Sequence, residues 1–175
     1  YSDTNFSVTP RYWISEKFVN DRLRNINWTF KWILGWRDVT SSKLERTVNA
    51  TIFSRCGVGD TLLLMFPIGH SAKHISCLLA NLDSLSLDFI ARQKIGGTHL
   101  KYYTLKQLPI LSFKEYLSND ISFIKERVLQ LTYTANDLKP FAEDLGYDGP
   151  PFKWDPERRA ILRAELDAYY SYLYG

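Results

Sequence analysis

Apolar positions fall into three blocks with different periods. Between Trp28 and Phe66, aromatic and β-branched residues are broken by turn-formers. Trp28 to Trp36, Arg46 to Phe53 and Thr61 to Phe66 read as strands separated by Ser41-Ser42 and Gly57-Val58-Gly59. The period then lengthens. Ile75, Leu78, Leu79 and Leu82, followed by Leu85, Phe89 and Ile90, keep a 3.6-residue spacing. Asn81, Asp83 and Ser84 supply a stop and a fresh N-cap between two short helices. Gly96-Gly97 is expected to close the second helix, because glycine accepts the left-handed turn that many helices end on. Leu105 to Leu111 looks extended, with Pro109 placing it near a sheet edge.

The third block predicts helices near Ile121 to Leu131, Ala135 to Leu145 and Pro156 to Leu173. The last carries the fullest set of signals. Asp155 is a good N-cap, Pro156 fits the first helical position and Glu157 suits the positive end of the dipole. Leu162, Leu166, Tyr169 and Leu173 form one stripe, and Arg163 is placed to pair with Asp167 one turn on. The expected class is α+β: a small, mostly antiparallel sheet with two helices packed on it and a helical C-terminal extension. Residues 1–114 would form the body and 115–175 the extension.

At 175 residues, 45% of them hydrophobic, the chain matches one domain with a sizeable core. A net charge of +3 announces no polyanion partner, but its distribution does more. Residues 1–114 hold 15 basic against 8 acidic groups, and residues 115–175 hold 7 against 11. A polyanion would therefore meet the body. Two cysteines, Cys56 and Cys77, are too few for a disulfide scaffold, so a reducing cytoplasm is the expected compartment. The longest uncharged stretch, Thr61 to Ala72, is too short for the roughly 20 apolar residues of a membrane span. The opening at Tyr1, without methionine, suggests a piece of a longer protein.

Candidate chemistry is sparse. His70, His74 and Cys77 share helical spacing and could hold a metal with Cys56, but the set lacks the glutamate of hydrolytic zinc helices and Cys77 borders the Leu78 stripe. Gly149-Pro-Pro-Phe152 invites comparison with the Asn/Asp-Pro-Pro-aromatic motif of amino-methyltransferases. Gly149 has no side chain to hold a target amine, so the prolines read as a rigid turn. No Ser/His/Asp elbow or phosphate loop is present, and no catalytic, cofactor or metal residues are assigned to this chain.

Two basic clusters remain. Arg37, Lys43 and Arg46 surround a polar turn, while Arg92, Lys94, Lys101 and Lys106 bracket Gly96-Gly97-Thr98-His99 with Tyr102 and Tyr103 interleaved. The cations could reach phosphates of double-stranded DNA, and Thr98, His99 and Tyr102 could read base edges where the glycines allow close approach. The simpler reading is a solvated surface with a capped helix.

Longer patterns sharpen the choice. Trp32-Ile-Leu-Gly-Trp-Arg-Asp38, Glu45-Arg-Thr47, Ile90-Ala-Arg-Gln-Lys-Ile-Gly-Gly-Thr-His-Leu-Lys-Tyr-Tyr103, Leu105-Lys-Gln-Leu-Pro-Ile110, Asp144-Leu-Gly-Tyr-Asp-Gly-Pro-Pro-Phe152, Trp154-Asp-Pro-Glu-Arg-Arg159 and the ending Leu173-Tyr-Gly175 carry a resemblance. From about Arg11 onward the chain resembles the C-terminal region of bacterial type IIG-like restriction-modification proteins, adenine-specific DNA methyltransferases with a TaqI-like specificity domain. The resemblance implies a target-recognition domain whose parent binds S-adenosylmethionine and methylates adenine in a separate upstream domain. It places the recognition work around Gly96, Gly97, Thr98 and His99. The competing expectation is a protein-interaction module that docks on the methyltransferase domain or a restriction partner through Tyr169, Tyr170, Tyr172 and Tyr174.

Overall fold

A computed structural model describes residues 3–5 and 9–175; positions 1–2 and 6–8 of the expected body lie outside the described residues. Its class is α+β. Helix α1 (Glu16–Asn25) leads into strand β1 (Trp32–Arg37), followed by β2 (Ala50–Ser54) and β3 (Leu62–Met65). Then come α2 (Ala72–Leu82), α3 (Leu85–Lys94), the one-turn α4 (Tyr102–Leu105), α5 (Ser118–Thr132), α6 (Lys139–Asp144) and α7 (Pro156–Tyr174). The sheet has the order β2-β1-β3 and both pairings are antiparallel.

β1 is buried from Trp32 to Trp36, where two indoles find polar partners inside the core. Trp32 Nε1 donates to Asp144 Oδ2 at 2.7 Å and its ring meets Phe141 of α6. Trp36 Nε1 donates to the Leu100 carbonyl at 2.8 Å and its ring meets Tyr102 of α4. Buried tryptophan is stable only when its N–H is satisfied in this way. Gly35 sits between them facing Leu64 in the register, where a Cβ would lie 2.7 Å from the Leu63 carbonyl. The close approach of β3 requires glycine there.

The helical half is built on caps that the sequence displays. Ser71 and Ser84 accept from His74 N and Leu87 N, and Asp155 accepts from Glu157 N and Arg158 N. α7 lays Leu162, Leu166 and Tyr170 against α3 and α5. Tyr170 is fully buried and donates to the Cys77 carbonyl at 2.6 Å, and Tyr174 donates to the Pro109 carbonyl. A single apolar cluster runs from Trp32 to Tyr170, so the extension shares the core of the body.

Several expectations need correction. The first two strands begin later, at Trp32 and Ala50, since Asn27 turns the chain with a φ of 57° and residues 41–49 form a loop pinned by side chains described below. Leu105 to Leu111 is no edge strand: its first residue completes α4, and Leu111 N is taken by the Asn81 side chain. Ala135 to Leu145 divides into a 3-10 turn, Asn136–Leu138, and α6. α3 ends at Lys94 on an extended Ile95, and neither Gly96 nor Gly97 takes a left-handed conformation, so the glycines do not cap it. Arg163 binds Glu45, because Asp167 is claimed by Arg46 and by the Leu85 N–H at the start of α3. Helix α1 has no counterpart in the sequence reading; it buries only Leu23. The four-tyrosine docking surface is lost as well: Tyr170 is buried, Tyr169 and Tyr174 are half-buried, and Tyr172 alone is largely exposed.

Candidate nucleic-acid interface

The two predicted basic clusters meet. The segment leaving β1 and the loop leaving α3 are stitched together by Thr40 N to the Thr98 carbonyl at 2.9 Å, Leu100 N to the Asp38 carbonyl at 2.8 Å, and a Val39–His99 bridge. Arg92 fastens the next turn. Its guanidinium donates to the carbonyls of Ser42, Leu44 and Glu45 while pairing with Asp88 at 2.7 Å. The other oxygen of Asp88 accepts from Thr47 N and Val48 N. A planar guanidinium with five donors suits this work in a way lysine could not.

The predicted contact residues therefore separate. Arg46 and Arg92 are engaged internally, Arg46 with Asp167 and Arg92 with the 42–45 turn, so the expected phosphate contacts from these two are corrected to structural roles. Tyr102 caps the open edge of β3, accepting from Leu64 N and donating to the Leu64 carbonyl. Arg37, Lys43, Lys94 and Lys106 are exposed, and among the described residues their side chains have no ion-pair partner. Gly96, Gly97, Thr98 and His99 are exposed in sequence, with open space where a Cβ would stand on either glycine.

At the centre lies an arrangement that the sequence did not disclose. Asp38, 2% exposed, takes Lys101 Nζ at 2.7 Å and His99 Nδ1 at 2.9 Å on the same oxygen, Oδ2. Its Oδ1 is buried without a partner. Burial alone would raise the carboxyl's pKa, but the hydrogen bonds and charges of Lys101 and His99 outweigh it and hold Asp38 below its ordinary value. Sequence separations of 61 and 63 hid the trio.

A cavity of about 430 Å³ opens elsewhere, between the 45–51 segment, α2, α5 and α7. Its wall includes Leu79, Val128, Leu166, Arg46, Asp83 and Asp167. Asp83 accepts from Ala50 N, and burial pushes its carboxyl up to about 7 against the pull of that bond and of Arg46 and Arg163. Of the weaker metal candidates, Cys77 is core, and the rings of His70 and His74 lie against Phe113. Gly149 proves to be a packing glycine: the Tyr147 ring occupies the place of its missing side chain, stacked on Phe152 and donating to the Pro150 carbonyl. Among the described residues no group of three or more His, Cys, Asp or Glu is placed to hold a metal, and no helix is long and apolar enough to cross a membrane. Comparison with family models, with curated proteins and with solved structures finds no match to this chain.

Proposed function

We propose that this chain is a DNA-reading module of a bacterial restriction-modification adenine methyltransferase, selecting the site for a catalytic, S-adenosylmethionine-binding domain outside these residues. One observation carries the reading: an exposed Gly-Gly-Thr-His loop is hydrogen-bonded to the segment that follows Arg37, and unpaired cations flank both. Arg37, Lys43, Lys94 and Lys106 supply charge for phosphates, while the loop offers small, polar groups to a groove. The parent's chemistry comes from the resemblance of the long patterns around Gly96 and Pro150.

The test is the salt dependence of duplex binding. Each phosphate neutralised adds about 0.9 to the slope of log affinity against log salt, so alanine at Lys43 and Lys94 together should lower it by about 1.8. Alanine at Arg46 should leave it unchanged in protein that remains folded. An unaltered slope in the Lys43/Lys94 double variant removes those residues from the interface.

A protein-docking role retains one specific observation, on a different surface from the tyrosine tail. Tyr12, Trp13, Ile14 and Phe18 are all more than half exposed around the start of α1. Duplex binding that survives in a Trp13→Ala, Phe18→Ala variant while association with the methyltransferase domain is lost would assign docking to that surface.

A further inference from the structure

We propose that His99 selects amine-bearing bases, its Nε2 lone pair accepting a hydrogen bond from the exocyclic amine of adenine or cytosine in the major groove, with Asp38 and Lys101 as the positioning residues that fix its tautomer. The assignment rests on the DNA-reading function above and deepens it. An ionised carboxylate is acceptor-only, so the 2.9 Å contact between Asp38 Oδ2 and His99 Nδ1 requires the proton to lie on Nδ1. Lys101, bound to the same oxygen at 2.7 Å, keeps that carboxylate ionised and in place. With Nδ1–H committed to Asp38, Nε2 is the remaining ring nitrogen, and in the neutral imidazole it carries the lone pair, on a side chain that is 51% exposed.

The surroundings favour a functional over a stabilising role. Asp38 is buried with Oδ1 unpartnered, an arrangement that costs stability. What that cost secures is the direction of one exposed hydrogen bond. In the major groove adenine N6 and cytosine N4 are the donors, whereas guanine presents N7 and O6, both acceptors. A lone pair facing guanine would leave both sides unsatisfied, so one position of the bound site should favour adenine or cytosine over guanine by about tenfold.

Two measurements on the 175-residue chain decide this. First, 15N spectra of His99 in alkaline buffer should show a protonated Nδ1 and a bare Nε2. Asp38→Ala, which removes the acceptor, should shift the proton toward Nε2, the tautomer a free neutral imidazole prefers. Second, selection from a randomised duplex pool should give one position enriched in adenine or cytosine. His99→Ala should erase that enrichment, and His99→Arg, which has donors only, should move it to guanine. A wild-type His99 protonated on Nε2, or identical preferences in wild type, His99→Ala and His99→Arg, overturns the assignment while leaving DNA binding intact. Failure of the folded wild-type chain to bind any duplex overturns the DNA reading and this assignment with it. If Asp38→Ala does not fold, the wild-type spectrum and the two His99 variants still decide.

Discussion

The loop face around Asp38 and the helical layer of α5 and α7 use charge in opposite ways. In the helical layer, ionic and phenolic groups turn inward to partners: Arg127 to Glu165 at 2.7 Å, Tyr169 to Asp120, Tyr170 to the Cys77 carbonyl and Arg46 of the body to Asp167. On the loop face, Arg37, Lys43, Lys94 and Lys106 point to solvent, and one buried oxygen of Asp38 is left unsatisfied. The first pattern closes a fold, and the second leaves four cations available to something outside it. The basic body and acidic tail of the sequence are thus one core with two different surfaces.

The contrast can be broken most forcefully at Tyr170. Replacing this fully buried side chain with alanine should destabilise the chain by about 4 kcal/mol, read as a shift in the urea midpoint. A change near zero would make the tail an appendage rather than core. Next in size is Asp88→Ala, which strands Arg92 together with two backbone donors and should cost about 3 kcal/mol. It should also free the 42–45 turn, measurable as faster amide exchange at residues 44–48.

A pH profile sharpens the comparison further. Asp83 is raised to about 7 by burial, so the folded chain binds its proton more tightly than the unfolded chain does. Its contribution is therefore full below the unfolded value near 3.8 and is lost as pH climbs toward 7. Asp83→Asn should flatten that decline in urea titrations between those limits; an equal decline in both proteins would place its origin elsewhere. Smallest of all should be Lys43→Ala with Lys94→Ala, whose loss changes stability by less than about 0.5 kcal/mol, as exposed groups without partners do. A larger loss would show that the loop face is structural too.

Local signals in the sequence led to the elements they govern. The Asp155-Pro156 cap, the period of α2 and α3, and the aromatic runs of the sheet all depend on near neighbours along the chain. The candidate interface was half legible for the same reason: the glycine loop and its flanking lysines are contiguous. Long-range pairing was not readable. Arg46 meets Asp167 across 121 positions and Asp38 meets Lys101 across 63, so charge counting could not separate a committed arginine from an available one. α1 escaped because a helix that buries only Leu23 leaves little apolar stripe to detect. The expected edge strand at Leu105–Leu111 failed because contacts from Asn81 and Tyr174 hold that segment on the helical side of the molecule.

The corner at Tyr147 limits how this stretch could acquire chemistry. Installing an asparagine ahead of Pro150-Pro151 would set its Cβ against the hydroxyl end of Tyr147, so the phenol would have to swing aside before the amide reached any ligand. That swing would break the bond the hydroxyl donates to the Pro150 carbonyl.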